Sequence, residues 1–177
     1  MQCVSSCQYL ASLQLSIYPR MSFCCTTIFP KSLNLPSLKM LDLSNFTFYG
    51  GENGYAEPFS AFTKLKSLII RGCNVMDTQI INISRETLVN FAMHYSSSKI
   101  AKIDLSTPSL CTFTFYGIPH QKIGRSNLSY VKEVNIYAHM DTYLEKLPVV
   151  IFNWLQELLG VKSLMMYDRK PSYIIQN

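Results

Sequence analysis

The residues that could do chemistry are spread through this chain without the spacing that a reaction requires. The two nearest carboxylates, Asp141 and Glu145, are most simply surface charges that flank a helix. No serine lies in a Gly-x-Ser-x-Gly frame or a comparable one. The stretch GGENG has no basic residue to meet a phosphate, so it does not predict a nucleotide site. We therefore expect a chain that is not an enzyme and that uses no cofactor.

Cysteine and histidine, the usual ligands of structural metals, are also poorly spaced. The chain has six cysteines and three histidines, with no Cys-x-x-Cys and no histidine at ligand spacing from a cysteine. We therefore expect neither a metal site nor a disulfide framework. Cys73 and Cys111 lie inside copies of a repeated apolar pattern, where a buried, reduced thiol is the expected role. Reduced thiols favour an intracellular location, in the cytoplasm and/or the nucleus.

Charge and hydropathy narrow the class of partner. The net charge is +5, and hydrophobic residues make up 48% of the chain against 15% for charged residues. The lysines and arginines are scattered singly, which is typical of a solvated basic surface and not of a nucleic-acid site. No apolar stretch reaches about 18 residues, so no membrane span is predicted. Sequons at Asn45, Asn82 and Asn127 are near the number that chance gives and carry little weight for secretion.

A short apolar pattern recurs along the chain and is its strongest signal. In LPSLKMLDLSNFTF, the residues Leu38, Leu41 and Leu43 are separated by three and then two positions, as Leu-x-x-Leu-x-Leu. A helix face would repeat at three and four positions and a strand strictly at two, so the pattern indicates a strand with a lead-in residue. Seven copies occur, and they begin near residues 10, 38, 65, 88, 110, 131 and 161.

The spacing of these copies predicts a leucine-rich-repeat fold. Successive copies begin 21 to 30 residues apart, close to the roughly 20 to 29 residues of leucine-rich repeats. The copy LKSLIIRGCNV fits best, because Cys73 fills the Asn/Cys position and Val75 the last apolar position. One strand cannot bury its own apolar row, whereas stacked parallel strands bury a continuous core. We therefore expect one domain over residues 1–177, a curved α/β solenoid with a parallel sheet on its concave side.

The segments between the copies should form the convex side, where we expect irregular structure or short helices. YGGENGYAEPFSAF, between the second and third copies, is rich in turn residues and predicts a loop. IAKIDL carries an extra alternating pattern, which is either an additional strand on the convex side or a degenerate eighth copy. Residues 148–159 predict a true helix, with Pro148 at its start, apolar residues at helical spacing and Gly160 at the C-cap position.

The order of these segments resembles a known family. The stretches FPKSLNLPSLKMLDLSNFTF, AEPFSAFTKLKSLIIRGCNV, KIDLSTPSLCTFTFYG, LSYVKEVNIYAHM and IFNWLQELLGVKSLMMY look like the repeat region of plant F-box/leucine-rich-repeat proteins. These are also called F-box/RNI-like, after ribonuclease inhibitor. The phrase STPSL is similar to one that those proteins repeat before a strand. The resemblance covers the chain from about Leu10 to Tyr167 and implies a ribonuclease-inhibitor-like solenoid.

The resemblance also implies a role in choosing a protein for ubiquitination. In that family an F-box docks on a Skp-type adaptor of a cullin ubiquitin ligase, and the repeats bind the target protein. This sequence departs from the family, because the first repeat begins near residue 7 and leaves no room for an F-box before it. We therefore expect a fragment or a truncated form, uncoupled from the ligase. Adaptor and cullin would be partners only if a longer form supplies the F-box.

The outward residues of the predicted strands are the candidate binding residues, because they line up on the concave side. They form two rows, one after and one between the inward residues of each copy: Ser16, Ser44, Arg71, His94, Tyr116, Tyr137, Tyr167; and Gln14, Asp42, Ile69, Ala92, Thr114, Asn135, Met165. Tyrosine and arginine are favoured in protein interfaces, although tyrosine is also common on any exposed strand. The predicted protein-binding residues are Asp42, Ile69, Arg71, His94, Thr114, Tyr116, Asn135, Tyr137 and Tyr167.

Two other functions stay open from the sequence. An extracellular repeat domain of the receptor-kinase type would repeat Leu-x-Gly-x-Ile-Pro, and only YGIP at residues 116–119 resembles it. The other alternative is that the chain is a remnant that has no function. The terminal units of a solenoid expose apolar edges, and nothing in the N-terminal residues looks like a polar cap. We therefore expect a marginally stable or aggregation-prone chain unless it pairs with a partner or belongs to a longer protein.

Overall fold

The apolar repeats form neighbouring strands of one parallel sheet, the large sheet. The computed structural model describes residues 7–18, 27–30, 33–124, 131–138, 147–157 and 163–168. The elements in chain order are β1 (Ser12–Ser16), β2 (Met40–Ser44), β3 (Thr47–Tyr49), β4 (Ser67–Arg71), β5 (Asn74–Met76), β6 (Ile80–Ser84), β7 (Asn90–His94), β8 (Lys102–Ser106), β9 (Thr112–Gly117), β10 (Lys122–Gly124), β11 (Glu133–Ala138), α1 (Leu147–Glu157) and β12 (Ser163–Asp168). The large sheet has the order β1-β2-β4-β7-β9-β11-β12, and every neighbouring pair in it is parallel. The described chain is thus built mostly from parallel strands, with little helix.

The two inward residues of the repeat form the core behind the large sheet in β2, β4, β7, β9 and β11. In β2, Leu41 and Leu43 are buried, and in β4 the same holds for Leu68 and Ile70. Burial alternates along β4, β7 and β9, since successive side chains of a strand point to opposite faces. The period-two part of the repeat is therefore confirmed as a strand.

A turn ends at the lead-in residue of the repeat, just before the three-residue step into the strand. The amide of Leu38 donates to the carbonyl of Leu35 at 3.0 Å, and the amide of Leu65 donates to the carbonyl of Phe62 at 3.2 Å. Such bonds between residues three apart close β-turns. Both lead-in side chains are fully buried. The turn therefore lets the lead-in residue join the core before the alternating pattern begins.

The return segments form two smaller parallel sheets. Strands β6, β8 and β10 pair in the order β10-β8-β6, and β3 pairs with β5. The stretch IAKIDL contains all of β8 but its last residue, and Ile103 and Leu105 of this strand are buried. It is therefore an additional strand outside the large sheet, and the interpretation as an eighth copy is wrong. We expected irregular structure or short helices in these segments. The described part before α1 contains turns and short strands, and it contains no short helices.

The last return segment contains a helix, as predicted. Helix α1 spans Leu147–Glu157 instead of 148–159, and the last two predicted residues lie outside the described part. No helix of the described residues is long and apolar enough to cross a membrane. Trp154 is 1% exposed, and its Nε1 donates to the carbonyl of Gln121 at 2.7 Å. Its ring meets that of Phe115 edge-to-face, with centroids 4.9 Å apart. Trp154 therefore anchors the helix to the core with its polar tip satisfied.

The two cysteines that were predicted as buried thiols differ. Cys73 is 1% exposed, and its Sγ lies 3.7 and 3.5 Å from the carbonyls of Leu43 and Arg71. Burial raises the pKa of this thiol to about 11, so it stays protonated and its single hydrogen can be donated to either carbonyl. Cys111 is only half-buried, and the prediction of a buried thiol is wrong there. It precedes β9 and so lies outside the alternating pattern that reaches the core.

The apolar side chains of β1, at one end of the large sheet, are less covered than those of its neighbour. Leu13 and Leu15 are partly buried, whereas Leu41 and Leu43, their register partners in β2, are fully buried. In the described part of the chain, β1 has a strand on one side only. Partial exposure of these leucines agrees with the expectation that a terminal repeat, which has a neighbour on one side only, exposes an apolar edge.

Candidate protein-binding face

The outward residues of the large sheet lie in rows across its strands. One row, the tyrosine row, is in direct register and consists of Ser16, Ser44, Arg71, His94, Tyr116, Tyr137 and Tyr167. A second, the middle row, is equally in register and consists of Gln14, Asp42, Ile69, Ala92, Thr114, Asn135 and Met165. These are the two rows that the repeat spacing predicts. Their alignment is confirmed, while their role in binding stays a prediction.

A third outward row was missed by the sequence reasoning. It lies at the position before the first inward residue and consists of Ser12, Met40, Ser67, Asn90, Thr112, Glu133 and Ser163. Strand alternation turns these residues to the same side as the middle row, two positions further on. Met40 is 45% exposed and adds apolar surface to this row. The same rule that gave the other rows would have found it.

Asp42 and Arg71 form an ion pair across neighbouring strands. The Nε of Arg71 donates to Oδ1 of Asp42 at 3.1 Å, and its Nη2 donates to Oδ2 at 3.2 Å. This two-pronged geometry is the one that guanidinium and carboxylate groups favour. Asp42 is only 9% exposed although alternation points it outward, because the guanidinium caps its carboxylate. The pair holds Arg71 in one orientation and neutralises its charge locally.

His94 continues the contacts from Arg71. The Nη1 of Arg71 lies 3.0 Å from Nδ1 of His94. Because arginine can only donate, Nδ1 accepts and the neutral ring carries its proton on Nε2. Burial, and then the positive charge of Arg71, lower the pKa of His94 to about 4, while Asp42 acts in the opposite direction. His94 is therefore uncharged at neutral pH, and its Nδ1 is engaged and cannot act as a base.

The tyrosine row then continues as a stack of rings. The centroids of His94 and Tyr116 are 4.3 Å apart with the rings tilted by 33°, and those of Tyr116 and Tyr137 are 4.1 Å apart with the rings parallel to within 1°. Neighbouring strands are about 4.8 Å apart, so flat rings in one row come into contact. Both faces of the Tyr116 ring are thus covered. Tyr167 follows in register, and its side chain lies outside the described part.

The middle row contributes a nearly buried amide beside the stack. Asn135 is 8% exposed, and its Nδ2 donates to Oε1 of Glu133, in the third row, at 2.8 Å. Its Oδ1 is buried and has no hydrogen-bond partner. Ile69 and Thr114 of the same row are half-buried. The middle row is therefore a shallow, mixed surface between the aromatic row and the third row.

In β2, β4, β7 and β9, the residue directly after the tyrosine row has a positive φ. Asn45, Gly72, Tyr95 and Gly117 have φ values of 63°, 57°, 46° and 130°. Glycine and asparagine suit the left-handed region, whereas a bulky residue there is strained by roughly 1–2 kcal/mol. The amide of Tyr95 donates to the carbonyl of Tyr116 at 2.7 Å and helps to hold this conformation. The aromatic stack is therefore bordered by a strained and 55% exposed tyrosine.

Exposed lysines lie at the other end of the strands. Lys39, Lys66 and Lys132 directly precede β2, β4 and β11, and all three are exposed. The amide of Lys66 donates to the carbonyl of Lys39 at 2.8 Å, so these two residues are neighbours. Exposed lysines thus border the large sheet where these three strands begin, and the tyrosine row lies where the strands end.

The described contacts on this face are an ion pair, hydrogen bonds and ring stacks. Within the described ranges, no group of three or more His, Cys, Asp or Glu could hold a metal ion. No protein-family model, curated protein or solved structure matches this chain. The likeness to F-box/leucine-rich-repeat proteins therefore rests on the sequence stretches alone, and membership of that family stays a prediction.

Proposed function

We propose that this chain is a non-catalytic leucine-rich-repeat domain that binds a target protein on the exposed face of its large sheet. In this proposal the strands and their return segments form an α/β solenoid of the ribonuclease-inhibitor type. The support is the arrangement of the repeats, because each copy supplies one strand and consecutive copies are neighbours. Stacked repeats of this kind offer an extended face to which every unit contributes side chains.

The observation that carries the proposal is the unbroken run of contacts from Asp42 to Tyr137. The run passes through Arg71, His94 and Tyr116, and each side chain is joined to the next by a hydrogen bond or a ring stack. Arginine and tyrosine are the residue types that dominate binding energy at protein interfaces. Ordering a mobile side chain on binding costs roughly 0.5–1.5 kcal/mol. Side chains that are already ordered avoid most of this cost, which favours a protein partner here.

The resemblance to F-box/leucine-rich-repeat proteins suggests the biological role. We infer that the face selects a protein whose ubiquitination a cullin ligase carries out. A Skp-type adaptor and the cullin would take part only through a longer form that contains an F-box. A form without the F-box would bind the same target and compete with the intact relatives that deliver it to the ligase.

The contacts of two sequon asparagines argue against the extracellular alternative. The Nδ2 of Asn45 donates to the carbonyl of Ile17 at 2.7 Å, and the Nδ2 of Asn82 donates to Oε1 of Glu57. Carbohydrate would be attached to these same nitrogen atoms and would disturb both bonds. Asn127 lies outside the described residues. We therefore propose that the chain acts inside the cell, in the cytoplasm and/or the nucleus.

Affinity purification with matched variants tests the proposal. Tagged wild type, Tyr116→Ser and the control Tyr9→Ser are expressed in cells of the native organism, and bound proteins are identified by mass spectrometry. Tyr9 is 93% exposed and lies in a turn before β1, so its loss leaves the face intact. We expect a target that Tyr9→Ser retains and that Tyr116→Ser binds about tenfold more weakly, as for an interface hot spot.

The same target, once purified, gives the decisive measurement by calorimetry. The proposal fails if Tyr116→Ser and Arg71→Ala bind every recovered target as tightly as wild type. If no target is recovered reproducibly, the result would favour the alternative that the chain is a remnant without function. A Skp-type adaptor that copurifies with this chain alone would contradict the uncoupled form.

A further inference from the structure

A cavity of about 200 Å³ lies away from the large sheet, beside β3 and the loop that follows it. Four aromatic side chains line it, those of Phe29, Phe48, Tyr49 and Tyr55. Phe29 and Phe48 are almost fully buried and meet edge-to-face, with centroids 5.8 Å apart. They form an apolar floor that neighbouring core residues hold in place. The two tyrosines are half-buried and form the walls.

The loop that carries one of these walls is fixed by its own hydrogen bonds. The amide of Gly51 donates to the carbonyl of Tyr55 at 2.8 Å, and the amide of Gly54 donates to the carbonyl of Gly51 at 3.1 Å. Gly54 has a φ of 81°, which glycine adopts without steric cost. Its carbonyl accepts a hydrogen bond from Oγ1 of Thr78 at 2.6 Å. The closed loop is thereby fastened to a neighbouring segment, and it presents Tyr55 to the cavity from a fixed backbone.

The charged group that lines the cavity is a carboxylate, although the chain as a whole is basic. Glu57 is the one charged side chain among the described residues that line it. Its Oε1 accepts a hydrogen bond from Asn82, which orients the carboxylate and leaves Oε2 for a ligand. Residues 40–63 contain no Lys, Arg or His, although the chain has a net charge of +5. Among the described residues that line the cavity, an anion would find no cationic side chain, whereas a cation would find both a carboxylate and aromatic rings.

We propose that this cavity binds an alkylated ammonium group. Aromatic rings attract cations through their electron-rich faces, and cages of such rings recognise quaternary ammonium groups. Glu57 supplies the opposite charge. The apolar floor of Phe29 and Phe48 would contact the methyl groups of the ligand, and a small hydrated cation has no such groups. This site is separate from the sheet face, and the proposal does not depend on the protein-binding role.

Two sources share this chemistry, and one titration series separates them. The ligand is either a small molecule of the choline type or the trimethylated lysine side chain of another protein. The 177-residue chain is titrated with choline chloride and, separately, with N-acetyl-trimethyllysine methylamide, and binding is followed by the NMR signals of tyrosine rings. Sodium chloride at matched ionic strength is the blank. Tighter binding of choline indicates a small molecule, and tighter binding of the lysine derivative indicates a methylated protein.

The contribution of charge is tested with a neutral isostere of choline. In 3,3-dimethylbutanol a tert-butyl group replaces the trimethylammonium group at nearly the same shape. We expect this alcohol to bind at least tenfold more weakly than choline. Equal binding of the two compounds would overturn the proposal, and so would the absence of saturable binding by both ammonium probes.

Matched variants test whether the named residues form the site. Glu57→Gln and Tyr55→Leu should each weaken choline binding about tenfold or more, while Tyr55→Phe should retain it because the ring remains. Glu52→Gln is the control, since Glu52 is an exposed carboxylate of the same loop that does not line the cavity. Circular dichroism establishes that each variant is folded. The proposal is overturned if Glu57→Gln and Glu52→Gln have equal effects, or if Tyr55→Phe loses binding while folded.

Discussion

Acidification should destabilise this protein through His94, because the fold selects the neutral form of its ring. Burial, and then the charge of Arg71, lower the pKa of His94 from 6.5 to about 4. Between these two values the unfolded chain binds a proton that the folded chain does not, so the free energy of unfolding falls as the pH falls. Above the upper value both states are neutral, and below the lower value both are protonated. The loss is therefore confined to this pH window.

The magnitude follows from the difference between the two pKa values. A gap of about 2.5 pH units, at about 1.4 kcal/mol for each, gives an upper bound of about 3.5 kcal/mol. His94 is only half-buried, so solvent screens the charge of Arg71, and we reduce the effect by about half. Near pH 5 only part of the window has been crossed, and we expect a loss of about 1 kcal/mol.

Urea unfolding of wild type and His94→Asn, at about pH 7.5 and about pH 5, measures this loss. Asparagine offers Arg71 an accepting oxygen and does not titrate, so it isolates the protonation of the ring. Wild type should lose about 1 kcal/mol more than the variant between the two conditions. An NMR titration of the folded chain should also find the His94 pKa well below its ordinary value. Equal losses in the two proteins, or an ordinary pKa for His94, would refute the reasoning.

Two further predictions concern the backbone and the buried thiol. Gly72→Ala should lower the free energy of unfolding by more than about 1 kcal/mol, because Gly72 has a φ of 57° and an added Cβ would collide with Oδ1 of Asn45. Urea unfolding measures this loss, with Gly51→Ala as the control, because a Cβ at Gly51 would only touch the carbonyl of Tyr55 at 3.4 Å. Equal losses in the two variants would contradict the prediction. Maleimide should label Cys111 and spare Cys73 in the folded chain at neutral pH, because Cys73 is buried and its pKa is raised to about 11. Mass spectrometry with and without denaturant checks this, and similar labelling rates in the folded chain would count against it.

The large sheet was predictable because the apolar pattern determines both the strands and their register. A shift of β2 by one residue would turn Leu41 and Leu43 outward and Asp42 into the core, so only one register buries the leucines. The same condition applies to each copy, which is why the outward rows could be written from spacing alone. The lead-in step could not be explained in this way, because hydrophobic periodicity describes strands and helices and not the turn that precedes them.

The contacts on the face and the return strands were harder to derive. Asp42 and Arg71 stand in different rows of neighbouring strands, so they are diagonal neighbours that a long side chain can join. The sequence places both residues, but the choice of rotamer that pairs them depends on the surrounding surface. In β6, Ile81 and Ile83 alternate with polar residues, yet so short a pattern is ambiguous without the partner strand that it pairs with. The cavity beside β3 depends on a loop that closes on itself, which composition marks only as a turn.

The geometry of the stack limits how a protein partner can use the tyrosine row. The ring of Tyr116 lies between those of His94 and Tyr137 at 4.3 and 4.1 Å, so no ring or guanidinium of a partner can insert there. Arg71 has five N–H groups, and three of them are occupied by Asp42 and His94. Under the proposed function, a partner therefore meets ring edges and the remaining donors of Arg71, which suits carbonyl groups set in an apolar surface. Tyr116→Ser would also release the two neighbouring rings from the stack. For this reason Arg71→Ala, which removes donors and leaves the two tyrosines stacked, belongs in the same binding measurement.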